Sequence, residues 1–270
     1  IFDSNDIFFL ILLTLFFLIL LGIIDDLKNI SFKIRFIIQI LFVTFIVYYF
    51  NLTIKNYGVF SINYQFFYIS FIFTVLAILA LTNAFNFIDG IDGLSSGIFI
   101  SVLLIIKMYH IVQTGSLVLH QIDILLILVF LFFLINSGFL NFKKIYLGDS
   151  GSMLLGFLCA FYLIYYSNFV EIIEPTLVFW LVTIPVFDSI SVILKRLKKN
   201  TNPMIGDEKH IHHDLINLGF SKKTTLILLL ILTFLFSFFG IILDYFNFYL
   251  FSVYSYLFFL GIYIILKFRI

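Results

Sequence analysis

Nine stretches of this chain are too apolar to face water for their whole length: 7–24, 36–51, 67–85, 95–112, 122–140, 152–168, 175–194, 224–243 and 250–266. Each is close to the length that an α-helix needs to cross the hydrocarbon core of a bilayer. Lipid offers the backbone no hydrogen-bond partner, so only helices or closed barrels survive there, and an open sheet does not. The expectation is therefore an all-α fold: a polytopic integral membrane helical bundle of about nine transmembrane helices, one membrane domain over 1–270. The composition agrees, with 63% hydrophobic and 11% charged residues in 270. The second run is short and so tilts or extends into its flanks. Pro175 opens the seventh run, and Pro185 inside it predicts a kink. Between the second and third runs, weak alternation around Asn56-Tyr57-Gly58 suggests an interfacial hairpin. The first run is too long and too polar-ended for a signal peptide, and a start at Ile1 suggests a fragment. Cys159 lies in an apolar run and builds no disulfide framework or zinc site. A net charge of +1 without a basic tail gives no sign of a nucleic-acid partner.

Nine spans put successive loops on alternate sides. Every Lys and Arg except Lys55 and Lys107 then falls on one side, which the positive-inside rule makes cytoplasmic. The clusters that look chemical fall there too: Asp25-Asp26, Asn86 to Asp92, Asn136 to Ser152, Asp188 with Arg196, and His210 to His213. On the other side Asp3, Asp6, Asp123, Glu171, Glu174, Asp244, His110 and His120 are scattered singly.

The richest cluster runs from Asn83 to Gly97. It holds Asn83, Asn86, Asp89 and Asp92 together with Gly90, Gly93 and Gly97. Ionisable groups at membrane depth are costly and point to function, although a plain polar turn would also use Asp-Gly steps. If the segment is helical, Asn86, Asp89 and Asp92 share a face at spacing three. Asp25-Asp26 ends the first run. Adjacent carboxylates oppose each other's ionisation unless a cation shares the site; the alternative is a solvated helix end. In Gly148-Asp149-Ser150-Gly151-Ser152, either serine could cap the sixth helix, while Asp149 at a helix start also suits a diphosphate and its metal. Asn136 and Ser137, at the end of the fifth run, are a weaker signal. Asp188 and Arg196 share a helix face and suggest an ion pair or a site. His210, His212 and His213 lack the partners for zinc. Anion contact or proton handling fits them better than a solvated run does. Together the set describes a metal–diphosphate site, and its hard oxygen donors favour Mg²⁺, with Mn²⁺ as the alternative.

In order and type these motifs resemble the polyprenyl-phosphate N-acetylhexosamine-1-phosphate transferase family, glycosyltransferase family 4. Asp25-Asp26, Asn83 to Gly97, Leu147 to Ser152 and His210 to His213 carry the resemblance over nearly the whole chain. His210-Ile211-His212-His213 followed by Gly219-Phe220-Ser221 is similar to the undecaprenyl-phosphate GlcNAc-1-phosphate branch, as is Asn136-Ser137-Gly138. The resemblance implies transfer of a sugar-1-phosphate from a UDP-sugar to polyprenyl phosphate in a bacterial inner membrane. UMP is released, and a cell-surface polysaccharide is begun. It implies metal contacts from Asn86 and Asp149, with the metal-nucleotide or uridine at Asp89 and Asp92. It also implies that Asp25 and Asp26 bind or deprotonate the lipid phosphate, with phosphate or sugar contacts from His210, His212 and His213 completing the catalytic set. Asn83, Asn136, Asp188 and Arg196 complete the set as candidate substrate contacts. The partners implied are the UDP-sugar, polyprenyl phosphate and the bilayer, with a homodimer left open. The chain departs from the family pattern in two places. It lacks two spans with a Pro-x-x-Gly-Gly loop before Asp25, and it has Asp207-Glu208-Lys209 where the family carries Asp-Arg. The rival readings are a muramoyl-pentapeptide or other UDP-HexNAc transferase, a transporter, and a non-catalytic scaffold.

Overall fold

The computed structural model describes residues 4–28, 30–55, 67–115, 120–137, 146–200 and 210–269. Its helices are α1 (Ser4–Lys28), α2 (Phe32–Tyr49), α3 (Phe67–Ile88), α4 (Leu94–Thr114), α5 (His120–Asn136) and α6 (Gly148–Asn168). They continue with α7 (Pro175–Leu181), α8 (Thr183–Lys198), α9 (Ile211–Asn217), α10 (Lys222–Tyr245) and α11 (Tyr249–Arg269). No strand occurs among the described residues. The suggested hairpin at Asn56-Tyr57-Gly58, the Asp207-Glu208-Lys209 segment and the side chain of Asp26 lie outside them.

The described parts of the nine apolar runs are almost wholly helical, but the span count among the described residues is lower than nine. Among the described residues six helices are long and apolar enough to cross a membrane, or seven if α7 and α8 form one bent span. Helix α2 opens on Lys33 and Arg35, and α5 runs 17 residues to Asn136. The expected kink is present and large: α7 and α8 meet at 75°. It falls at Val182, one turn before Pro185. Proline has no N–H for the carbonyl four residues back, and its ring collides with that carbonyl. The helix therefore breaks ahead of the proline.

The centre of the bundle is α6 against α3. A Cβ added at Gly156 would stand 2.7 Å from Thr82 Cα and 2.9 Å from the Leu81 carbonyl, so the two backbones touch. Close approach over small residues is how helices associate where lipid supplies no hydrophobic drive. Gly240 plays the same part on α10, where an added Cβ would meet Trp180 at 2.5 Å. Trp180 is fully buried and donates to Ser252 Oγ at 2.8 Å, which ties α7 to α11. The outer faces of α1, α10 and α11 expose Phe and Leu, as lipid-facing helices do.

The two ends of the bundle are chemically distinct. One end gathers Gly22, Asp25, Arg35, Asn86 to Gly93, Ser137, Gly148 to Ser152 and His210 to Asp214. The other holds Lys107 against Asp123, Tyr109 against Asp244, and the Lys55 N–H on Asn168 Oδ1. Three acidic residues of this second end are not scattered singly. Glu171, Glu174 and Asp244 line one cavity, because the turn before α7 folds over the α10–α11 connection.

Candidate active site

Helix α3 ends at Ile88, and the two Asp-Gly steps form a turn. Gly90 N–H donates to the Ile88 carbonyl at 2.8 Å, and Leu94 N–H to the Ile91 carbonyl at 3.0 Å. Gly93 precedes α4 with φ +88°, a left-handed conformation that glycine adopts without penalty and that a helix cannot continue through. Asn86 is thus on a helix, while Asp89 and Asp92 are on the turn. The helical face expected for the three does not form. Asn83 lies one turn deeper, buried. Its amide donates to the Leu79 carbonyl at 2.8 Å and lies 3.4 Å from Gln39 Oε1.

Three neighbouring elements close on this turn through glycines. A Cβ at Gly90 would sit 1.9 Å from His212 Nε2, so the His212 ring lies flush on the first Asp-Gly step. A Cβ at Gly93 would meet Ser137 Cβ at 2.8 Å, which brings Asn136-Ser137 of the α5 terminus to the second step. On the other flank a Cβ at Gly22 would stand 2.5 Å from Ser150 Cβ, pressing the end of α1 onto the start of α6. Ser150 and Ser152 do not cap α6. The helix begins ahead of them at Gly148, and the residue before it makes no side-chain cap. Ser152 Oγ instead donates to Asn86 Oδ1 at 2.9 Å, linking α6 to α3.

Arg35 joins the remaining pieces. Its Nη1 donates to Asp25 Oδ2 at 3.0 Å and to Asp149 Oδ2 at 2.8 Å. The arginine and Asp25 are largely buried, while the Asp149 side chain is 62% exposed at the mouth of the site. In the sequence Arg35 stands out only through its part in the Lys and Arg asymmetry. The available signal was a Lys33-x-Arg35 pair opening an apolar run just after a double aspartate, where two acidic motifs need a counter-charge.

The histidines are held from behind by Asp188. Its side chain is 1% exposed. One oxygen pairs with His210 Nδ1 at 2.6 Å. The other accepts from Ile211 N–H at 2.8 Å and Tyr263 OH at 3.1 Å, with Lys267 Nζ 3.5 Å away. Lys267 also bonds Asp214 of α9. Asp188 therefore anchors the start of α9, with its ion partners on other elements of the fold. Arg196, expected to share its role, is buried two turns further along α8. His210 stacks on Phe87 of α3 with ring centroids 5.6 Å apart, and His213 lies 4.2 Å from His212.

Two titrations follow from this packing. Asp89 is raised to about 7, first by burial and then by the charges of Asp149 and Asp92, with hydrogen bonds from Ser95 acting against the rise. A carboxyl raised by burial and by like charges is one whose ionised form an added cation would favour. His212 is lowered to about 3 by burial, then by the charge of His213, so it is neutral near pH 7. Neither of its ring nitrogens has a hydrogen-bond partner. Among the described residues, no group of three or more His, Cys, Asp or Glu is arranged to enclose a metal. Mg²⁺ keeps several waters and takes one or two carboxylates together with substrate phosphates. An exposed Asp149 near Asn86 fits that mode and does not fit a closed protein cage.

The family model described as glycosyl transferase family 4 matches residues 8–167. A protein of Escherichia coli O157:H7 named undecaprenyl-phosphate alpha-N-acetylglucosaminyl 1-phosphate transferase is 29% identical over 239 residues, 86% of this chain and 64% of that protein. A protein of the same name from Yersinia pestis is 29% identical over 83% of this chain and 63% of its own length. One from Bacillus subtilis strain 168, named probable undecaprenyl-phosphate N-acetylglucosaminyl 1-phosphate transferase, is 30% identical over 84% and 63%. The chain thus spans a little under two thirds of the length of these relatives. The match covers more than half of the chain, including the double aspartate, the Asp-Gly turn and Asp149, and the chain belongs to glycosyl transferase family 4.

Proposed function

We propose that this protein transfers N-acetylglucosamine-1-phosphate from UDP-N-acetylglucosamine to a polyprenyl phosphate, at the cytoplasmic face of a bacterial plasma membrane. The observation that carries the reading is the convergence of three acidic elements at one end of the bundle. Asp25 and Asp149 share Arg35, Asn86 is tied to the start of α6, and the Asp89–Asp92 turn is covered by His212. The names of the relatives support the substrate pair, and the concentration of Lys and Arg on the same side supports the sidedness.

In the reaction an oxygen of the lipid phosphate forms a bond to the β-phosphorus of the UDP-sugar. The bond from that phosphorus to the bridging oxygen breaks, and UMP leaves with the electron pair. Such a transfer depends on positioning and charge neutralisation more than on covalent chemistry. Asp25, with Asp26 beside it in sequence, receives the lipid phosphate, and Arg35 sets its distance from Asp149. Asn86 and Asp149 would hold Mg²⁺ or Mn²⁺, which supplies charge neutralisation to the diphosphate when bound. Asp89 and Asp92 orient the nucleotide. Neutral His212 can accept or donate one hydrogen bond to a phosphate or sugar oxygen without a charge of its own. His210, fixed by Asp188, sets the pose of that segment.

The test is UMP release by the full-length protein in nanodiscs, given UDP-N-acetylglucosamine, undecaprenyl phosphate and Mg²⁺. Product is expected only with all three present, and a panel of UDP-sugars identifies the donor. A folded preparation that releases no UMP from any donor in the panel would overturn the assignment.

A further inference from the structure

We propose that the end of the bundle opposite the candidate active site carries a second binding site, for an organic ammonium ligand. A cavity of about 540 Å³ lies there between the end of α4, the turn before α7 and the α10–α11 connection. That volume is within the range of small-molecule sites. At 1.5 Å per residue along α4, Tyr109 is about 24 Å from Gly93, so the two sites are separate. Glu171, Glu174 and Asp244 line the cavity with Tyr109, Tyr249 and Gln113, and no basic side chain is among the lining residues.

Asp244 points to what the cavity takes. Its side chain is 5% exposed. One oxygen accepts from Tyr109 OH, while the other is buried with no hydrogen-bond partner. A buried carboxylate oxygen without a partner is costly and calls for one. The two lysines placed at this end are engaged elsewhere: Lys107 pairs with Asp123, and Lys55 lies over the Phe169 ring at 5.8 Å. Glu174 is raised above the usual carboxylate range by burial and then by the charges of Asp244 and Glu171. The cluster is therefore short of positive charge.

The spacing selects the kind of cation. Among the described residues no three acidic groups converge to enclose a metal ion. Ammonium groups spaced along an alkyl chain reach dispersed carboxylates one at a time, each offering three N–H donors. Tyrosine faces add cation–π attraction. A linear polyamine meets these demands. The headgroup amine of phosphatidylethanolamine offers the same ammonium but brings a phosphate that the carboxylates repel.

Calorimetric titration of the full-length protein in phosphatidylcholine nanodiscs, with spermidine as the probe, tests this. Saturable one-to-one binding is expected, weakened about tenfold or more by Glu171→Gln and by Asp244→Asn. Glu171 is exposed, so its substitution leaves the fold intact and also separates this site from the acidic end 20 Å and more away. Loss of spermidine binding on exchanging phosphatidylcholine for phosphatidylethanolamine would keep the ammonium site and assign it to the lipid amine. Absence of binding, or binding unchanged in Glu171→Gln, would overturn the proposal. So would Mg²⁺ binding that Glu171→Gln removes and spermidine does not displace.

Discussion

Gly90→Ala tests the closest contact in the candidate active site. The added methyl would stand 1.9 Å from His212 Nε2, 2.6 Å from Cε1 and 2.7 Å from Cδ2. Carbon and nitrogen atoms settle more than 3 Å apart, so the ring must retreat by more than about 1 Å. It has little room. His212 is 1% exposed, with His213 4.2 Å away on one side and His210 stacked at 6.0 Å. His210 is fixed in turn by Asp188 at 2.6 Å. Gly90 does not have a positive φ, so the whole cost is steric. Overpacking of this kind costs about 2 kcal/mol, which lowers the melting temperature in detergent by roughly 4–8 °C. Turnover should fall about a hundredfold, since a 1 Å misplacement of a site group has that order of effect. A double-mutant cycle isolates the cause. Gly90→Ala combined with His212→Ala removes the colliding ring and should recover most of the lost stability, a coupling of about 2 kcal/mol. A wild-type melting temperature for Gly90→Ala, or strictly additive losses in the double variant, would refute the reasoning.

Asp89 predicts a pH dependence. Its carboxyl is raised from 3.8 to about 7, so the folded state favours the protonated form. The stability it contributes is fully present below about pH 4 and is lost as pH rises through 7, a change of about 4 kcal/mol at most. Melting curves should show that decline, Asp89→Asn should flatten it, and millimolar Mg²⁺ should reduce it by favouring the carboxylate. Arg35→Gln leaves Asp25 and Asp149 facing each other without their shared cation. Because Asp149 is mostly exposed, the stability loss should be only about 1 kcal/mol. The Mg²⁺ concentration for half-maximal UMP release should shift as well, and an unchanged metal requirement would show that Arg35 does not set the carboxylate pair. Asp188→Asn removes a buried charge that meets His210, Ile211, Tyr263 and Lys267. It should cost about 3 kcal/mol and speed proteolysis around α9, with intact resistance as the contrary result. Asp149→Asn should abolish Mg²⁺-dependent UMP release while leaving the melting temperature within a few degrees, since that side chain is 62% exposed; retained turnover would remove it from the metal site.

The sequence by itself settled the class of fold. Lipid length and backbone satisfaction leave an apolar run few options, so each of the nine runs is helical over its described residues but for its ends and the break at Val182. Asp-Gly steps, a double aspartate and a histidine run are local signals of polar chemistry. The structure gathers them at one end of the bundle. What needed the tertiary structure were quantities set by contacts between distant segments. Asp89 and Asp92 sit on the turn between the end of α3 at Ile88 and the left-handed Gly93 that precedes α4, and His212 reaches it because Gly90 has no side chain. Arg35 reaches Asp149 across 114 residues and joins it to Asp25, and Asp188 serves α9 through bonds that no spacing rule connects. Glu171, Glu174 and Asp244 read as strays along the chain and line one cavity in space. Periodicity records which face of a helix is apolar. Which helices stand side by side, and so which charges meet, depends on the close packing of small residues such as Gly22, Gly90 and Gly156, and that is decided only when the chain is folded.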